Sequence, residues 1–534
     1  KKKRKKEILD IFPEICEDVF NPKAEGIGSY NKHFASTWKK AFYAKFGSDG
    51  KKLSTMDMKT FLNNVAGMVS KMNENMEPHG TSNMKLSKFS TWLVDFDQSN
   101  LPVNQYIEKP GQYTGNSIPE IDTHIKISSF DSDTLVMGSL RKPKRLKIRG
   151  NDQQDYPYLV KGGEDLRLDQ RVQQLFSVMN EIFAGDSQCT RRFLKLPTYQ
   201  VIPMTSKVGM IEWIDNTKPL KALIEDELSK DSSKDKESIQ SIPAAKKRDQ
   251  WLRSFSKSSK LCDMYFAMYQ KADRANCIRN VQAESETIKW DLLRRAVFSL
   301  CATPEAYITI RSHFTRSLAA FNVCSYIIGI GDRHLDNFLL NYKDGAVVGI
   351  DFGHAFGTAT QFLPIPELVP FRLTRQFSNF LRPLQSEGLL NHNMIHCLRA
   401  LRENKDVLLN TMNVFITEPL LEWEKLARRC ANEQGGNDGQ SAWFPKEKIR
   451  IATKKLDGYN PALILVEELQ GSVHAKRPYL PYLEKITKGV PEDNIRARVG
   501  EQCSSVAEQV NCLVDLATDP NILGRMYGGW APWV

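Results

Sequence analysis

The chain has 534 residues, 41% apolar and 26% charged, enough to bury several cores and to form two to four domains. A formal charge of +11 suits acidic partners such as nucleotide phosphates or nucleic acid, but excess Lys is also ordinary solvation, so the charge alone proves neither. The 10 cysteines include no Cys-x-x-Cys pair and no Cys/His zinc spacing, which argues against a disulfide framework and for reduced, buried thiols in an intracellular protein.

Lys1–Lys6 is a basic run, read as a solvated helix end in preference to an import signal or nucleic-acid patch. The Lys start, with no start signal, suggests the C-terminal piece of a longer chain. Apolar spacing predicts amphipathic helices over Ile8–Phe20, Lys32–Phe46 and Thr55–Asn75, with Phe34, Trp38, Phe42 and Tyr43 as the packing stripe of the second. Pro102–Gly115 is a connector. Alternation then predicts an antiparallel sheet from His124–Phe130, Thr134–Leu140, Arg145–Arg149 and Tyr156–Lys161. The turn Gly138-Ser139-Leu140, continuing to Arg145, is either a plain basic hairpin turn or a loop whose backbone N–H groups cover nucleotide phosphates. Lys161 ends an apolar strand, where a single cation would neutralise the α- and β-phosphates of a nucleotide.

Arg171–Ala184 predicts a helix, and Tyr199–Met204 and Met210–Trp213 two further strands. The chain leaves the sheet through Trp213 and Ile214; Trp213 is either core or a flat face for a purine ring. Leu223–Lys260 is polar, Ser/Lys-rich and poor in aromatics, which predicts an exposed, partly disordered insertion. Helical spacing resumes from Trp251 to Ile330. The uncharged run Ser317–Gly331 is too short to span a bilayer and fits a buried core helix, so no membrane association is expected.

Next comes Gly331-Asp332-Arg333-His334-Leu335-Asp336-Asn337, and then Asp351-Phe352-Gly353. Between them, Phe338–Tyr342 and Ala346–Ile350 flank a Lys-Asp-Gly turn, which predicts a β-hairpin. With Asp344 at the tip, Asn337 and Asp351 face each other at the open end. An amide oxygen beside a carboxylate is a hard, oxygen-only site suited to Mg²⁺. Asp332 lies five residues before Asn337, the spacing between base and metal ligand in protein-kinase catalytic loops, although the order is Asp-Arg-His instead of His-Arg-Asp. Any one of these motifs is weak; their conjunction implies phosphoryl transfer. Asp336 places a third carboxylate beside the site. Helices are expected through Leu426 and again over Pro445–Leu456 and Asn460–Leu469, with a Gly/Asn loop at Asn432–Gly439.

GDRHLDN followed by GIDFGHAFG and TATQFLPIPELVPFRLTRQF resembles the phosphatidylinositol-3-kinase-related protein kinases. The resemblance runs from about Asn21 to Val534 and is weakest over Glu225–Lys260. It takes in a C-terminal pattern of Leu513-Val514, Ala517-Thr518-Asp519, Asn521-Ile522-Leu523, Tyr527, Gly529-Trp530 and Trp533. It implies an α+β, two-lobed kinase fold of the phosphatidylinositol-3/4-kinase type. Residues 1–101 would be a helical region (the end of a FAT-type scaffold and an FRB-like bundle), and 102–214 the N-lobe to hinge. Residues 215–502 would be the C-lobe, and 503–534 a FATC-like tail docked on it.

The resemblance assigns Asp332 as base and His334 as donor to the γ-phosphate. Asn337 and Asp351 become metal ligands, Gly138, Ser139 and Leu140 a phosphate-covering loop, and Trp213 and Ile214 an adenine-binding hinge. Either Glu164 or Asp169 would orient Lys161. Leu168 departs from the Gln usual in this motif. The resemblance further implies ATP with Mg²⁺ (or Mn²⁺), and phosphorylation of Ser or Thr followed by Gln in double-strand break repair by non-homologous end joining. Nuclear localisation follows from it, as do protein substrates, with the Ku heterodimer and DNA ends reached through a preceding helical scaffold. A lipid kinase of the same fold and an inactive scaffold are the competing readings. The only Lys or Arg between Asp351 and Thr374 is Arg372, which argues against a polyanionic head group; intact Lys161, Asp332, Asn337 and Asp351 argue against a scaffold.

Overall fold

The computed structural model describes residues 12–14, 16–17, 20, 28–47, 52, 55–74, 82–113, 118–139, 141–232, 238–240, 242–417 and 443–534. Lys1–Lys6, much of Ile8–Phe20, Leu140 and the Asn432–Gly439 loop lie outside the described residues. The chain divides into two compact units, Lys1–Leu166 with Gln200–Trp213, and Arg167–Tyr199 with Ile214–Val534.

In the first unit, helices Gly28–Phe46 and Met58–Glu74 bury Phe46 and Met68 among Trp38, Phe42, Tyr43, Phe61 and Val65. Trp38, Phe42 and Tyr43 of the predicted aromatic stripe are therefore a packing face, while the side chain of Phe34 lies outside the described part. The sheet comprises β1 (Ser82–Lys85), β2 (Ile127–Phe130), β3 (Asp133–Val136), β4 (Lys144–Gly150), β5 (Asp155–Gly162), β6 (Val201–Pro203) and β7 (Val208–Glu212). Its order is β1-β3-β4-β5-β7-β6, with β2 also paired to β4, and every pairing is antiparallel. Ile127, Ile148, Tyr158 and Met210 form its core. β1 has no apolar alternation and escaped the sequence pattern. The predicted strand Thr134–Leu140 ends early at Val136. There the Met137 amide bonds Pro143 O at 2.9 Å and Lys142 turns to φ +47°, opening the basic turn.

The second unit is largely helical. Its axis is Pro304–Ile328, started by the Thr303 hydroxyl accepting from the Ala306 amide at 3.2 Å with Pro304 next. It is stopped by Gly329 at φ +71°, where the left-handed conformation favours glycine. From Ser317 to Ile328 every residue is buried, so the uncharged run is a core helix. Among the described residues no helix is long and apolar enough to cross a membrane.

A small sheet β10-β9-β8 joins β8 (Thr217–Pro219), β9 (Phe338–Asn341) and β10 (Val347–Gly349). The expected hairpin is present but its register differs by one residue. Phe338 pairs with Gly349 and Leu340 with Val347, so Ile350, not Asp351, follows as the partner of Asn337, and its amide bonds Asn337 O at 3.1 Å. The cause is the turn. The Gly345 amide bonds Asn341 O at 2.7 Å and Gly345 takes φ +83°, which makes a four-residue loop, Tyr342–Gly345, in place of a turn centred on Asp344.

The expected exposed insertion is also corrected. Residues Leu220–Ser232 and Pro243–Arg253 are helices that bury Leu220, Ile224, Ala244, Arg248 and Leu252. The Ser/Lys-rich composition belongs to their outer faces and to residues 233–237, which lie outside the described part. Arg248 explains the burial. Its Nε and Nη2 donate to Glu284 at 2.7 and 2.6 Å, and its Nη1 donates to Gly524 O at 2.7 Å and Met526 O at 3.2 Å. The region thus fastens the C-terminal residues, of which Trp530, Trp533 and Val534 are all buried.

Arg248→Met would leave the fully buried Glu284 carboxylate without its cation, a change that typically costs about 3–5 kcal/mol. Adding Glu284→Met should restore most of that loss. Thermal or denaturant unfolding of the two variants checks this; equal loss in both would refute it.

Candidate active site

Residues 329–337 leave the axial helix as a loop whose shape is set by close approach. A Cβ at Gly331 would collide with Ala359 and the Glu367 carboxylate. The Gly331 amide bonds His354 O at 2.8 Å, and the Gly357 amide bonds Gly329 O at 2.8 Å, tying this loop to the residues after Asp351. Arg333 completes the link. It is buried and donates from Nε to Gly331 O (2.9 Å), from Nη1 to Ile350 O (2.8 Å) and from Nη2 to Asp351 O, while its guanidinium lies 5.4 Å from the Phe352 ring. The Phe352 amide donates to Asp169 Oδ1 at 3.0 Å. The Asp332 and Asp351 segments are therefore held by the Arg of the Asp-Arg-His motif, a residue to which the sequence assigned no role.

Asp332 sits at φ +56° and Asp351 at φ +60°, left-handed conformations that a non-glycine residue adopts only when its surroundings enforce them. The Asp332 amide donates to Glu367 Oε2 at 2.7 Å, and its Oδ1 accepts from the indole Nε1 of Trp530 at 2.7 Å. Asn337 is buried and gives its Nδ2 to Asp332 O at 2.9 Å. Asp351 is exposed, and the Gly353 amide lies 3.5 Å from its Oδ1. An amide oxygen and an open carboxylate are hard oxygen donors of the kind that suits Mg²⁺. Among the described residues no cluster of three or more His, Cys, Asp or Glu offers a competing metal site. Asp336 faces Lys221 at 2.9 Å and not open solvent alone. His334 Nδ1 is 3.8 Å from Asp336, and burial pushes the His334 imidazole below its ordinary range.

In the sheet unit, Lys161 Nζ lies 3.2 Å from Glu164 Oε1. Glu164 is also within 3.5 Å of Arg141, and Arg141 donates to Gly163 O, so the basic turn touches the end of β5. Gly138 and Ser139 sit at the start of that turn. Trp213 follows β7, its amide bonded to Pro157 O at 3.0 Å and its ring 5.3 Å from the Arg145 guanidinium. Ile214 begins the second unit, where its carbonyl accepts from the Thr217 hydroxyl at 2.8 Å.

Residues 155–425 match the family model for phosphatidylinositol 3- and 4-kinases. The chain belongs to this kinase family. Residues 503–534 match the FATC domain. The chain is 53% identical to the DNA-dependent protein kinase catalytic subunit of Dictyostelium discoideum over 531 residues, 98% of this chain and 12% of the relative. It is 41% identical to the subunit of that name from Xenopus laevis, over 99% of this chain and 13% of the relative. The chain thus spans about one eighth of these relatives' length. The FAT and kinase domain of CtTel1 has the same fold, with a TM-score of 0.57 at 21% identity, over 99% of this chain and 32% of that one.

Within this kinase fold, two groups beside Asp332 were missed in the sequence. Glu367 is the lone acid in the apolar run Phe362–Leu373, a signal that was there to be read. Trp530 resembled an ordinary buried aromatic of the tail. Glu367 is buried, and desolvation pushes its carboxyl up to about 7, against the opposing pull of the Asp332 amide, Arg333 and Arg372. A carboxyl raised in the folded state binds its proton more tightly there than in the unfolded chain. Its contribution is therefore full below its ordinary value of 4.5 and is lost as pH rises to about 7. At about 1.4 kcal/mol per unit the loss is about 3 kcal/mol. The second unit should lose stability between about pH 5 and 7.5, and Glu367→Gln should flatten that decline; an unchanged pH profile of unfolding in the variant would contradict it.

Proposed function

We propose that this chain is the catalytic region of a serine/threonine protein kinase. The observation that carries the reading is the arrangement at Asp332. A carboxylate base and the metal-binding amide of Asn337 are fixed on one loop by a direct bond, and Arg333 ties that loop to Asp351. In this reading Asp332 takes or orients the proton of the attacking hydroxyl. Neutral His334 donates toward the γ-phosphate oxygens. Asn337 Oδ1 and the Asp351 carboxylate hold the divalent ion, Mg²⁺ or Mn²⁺. Lys161, oriented by Glu164, holds the ATP phosphates, Gly138 and Ser139 cover them, and Trp213 and Ile214 receive the adenine. Asp169 holds the Phe352 amide and so sets the direction of Asp351. The bound ion neutralises charge that builds on the transferring phosphoryl group.

Two features favour a peptide over an inositol lipid. Arg372 is the only Lys or Arg between Asp351 and Thr374, and it is buried, with its Nη2 donating to Trp530 O (2.8 Å) and Ala531 O (3.2 Å). Kinship with relatives named as DNA-dependent protein kinase catalytic subunits supports substrates of the double-strand break response, and Ser or Thr followed by Gln as the acceptor is carried over from the family resemblance of the motifs. The same kinship supports a nuclear protein whose contacts with Ku and DNA ends lie in segments outside these residues.

The test is an assay with ATP and Mg²⁺ on a Ser-Gln peptide, its Ser-Glu variant and phosphatidylinositol vesicles. Transfer to the Ser-Gln peptide is expected, falling about 10²–10⁴-fold in Asp332→Asn. Phosphate on the lipid with none on the peptide would overturn the reading.

A further inference from the structure

The Asp332 carboxylate has two oxygens, and the proposed chemistry needs only one of them to meet the substrate hydroxyl. The other, Oδ1, accepts the indole N–H of Trp530, a residue 198 positions away in the chain. Trp530 is itself fixed. Its carbonyl and that of Ala531 accept from Arg372, Ala531 turns at φ +49°, and the Trp530 ring lies edge-on to Tyr527 at 6.0 Å. Beneath it, the Gly528 amide bonds the Tyr265 hydroxyl at 2.7 Å, and Arg248 holds Gly524 O and Met526 O. The indole therefore reaches the carboxylate from a rigid platform.

We propose that Trp530 is a positioning residue for phosphoryl transfer, its N–H holding the Asp332 carboxylate so that Oδ2 faces the attacking hydroxyl. The inference rests on the protein-kinase reading. A carboxylate can rotate about its last torsion, and its free oxygen would otherwise turn to metal or Lys. One donor on Oδ1 removes that freedom before substrate arrives, and misplacement of a reacting group by about 1 Å costs about 10²-fold in rate. A merely structural Trp530 would matter through its buried area and not through its N–H.

The decisive replacement is therefore an isostere. In the whole protein that carries this chain, Trp530 is exchanged for 3-benzothienylalanine, in which sulfur takes the place of the N–H at nearly the same volume. The control is Trp533→Phe. Trp533 is equally part of the buried tail, and its indole nitrogen has no hydrogen-bond partner among the described residues. Both are assayed with the Ser-Gln peptide, alone and combined with Asp332→Asn. Positioning predicts that the isostere lowers kcat about 10- to 100-fold, leaves KM for ATP and peptide within about twofold, and has no further effect in the Asp332→Asn background. Trp533→Phe should keep kcat within about twofold. Wild-type kcat in the isostere, an equal fall in Trp533→Phe, or a full additional fall in the Asp332→Asn background would each overturn the inference while leaving the kinase reading intact. Undiminished transfer in Asp332→Asn alone would overturn both.

Discussion

The left-handed backbone of Asp332 is the constraint on which the site depends. A non-glycine residue held there costs on the order of 1–3 kcal/mol and persists only if its neighbours over-determine it. Here the surroundings fasten its amide, its carbonyl and one carboxylate oxygen. The amide goes to Glu367, the carbonyl receives the Asn337 side chain and the His334 amide, and Oδ1 receives Trp530. The partners come from the next turn of the same loop, from the segment after Asp351 and from the chain's last residues. No local propensity produces this conformation; tertiary contacts impose it.

Those contacts bring together buried charges that an apolar core would avoid. Arg333, Glu367 and Arg372 are all buried, and desolvation pushes each toward its neutral form, the guanidinium of Arg372 down to about 10 and the carboxyl of Glu367 up to about 7. Such groups are poor devices for raising stability. Their value lies in direction. Each guanidinium donates to named carbonyls, Gly331, Ile350 and Asp351 for Arg333, Trp530 and Ala531 for Arg372, and so fixes where four separate segments stand. Apolar contact would hold the segments together without selecting one mutual orientation.

How much of this was legible in the sequence follows from how local each feature is. The helix Pro304–Ile328 announces itself through Thr303, Pro304, an uncharged run and Gly329. The strands around Ile148, Tyr158 and Met210 show in their alternation. The Asp332, Asn337 and Asp351 set shows in spacing alone. The hairpin register was misjudged because a loop with Gly345 at positive φ shifts the pairing by one residue, which apolar pattern cannot distinguish. The helices at Leu220–Ser232 and Pro243–Arg253 were hidden because a buried Arg248 counts as polar in any composition. Glu164 lies 3.2 Å from Lys161 and Asp169 accepts from the Phe352 amide, two placements that spacing alone could not supply. The bond from Trp530 to Asp332 spans 198 residues and leaves no local trace.

The proposed peptide substrate is in keeping with the same economy of charge. A polyanionic head group at the segment after Asp351 would need cations that are free to meet it. The single guanidinium there is buried and gives its Nη2 to two carbonyls of the tail, which makes it a structural part of the tail that reaches Asp332. Turning Nη2 of Arg372 toward a lipid phosphate would release the Trp530 carbonyl and, in the proposed mechanism, loosen the hold of the Trp530 indole on the Asp332 carboxylate. Binding such a head group and catalysing transfer to it are therefore in conflict at one residue. A neutral Ser or Thr side chain makes no such demand, and Leu368, Val369, Phe371 and Leu373, buried beside Arg372, offer no other cation to replace it.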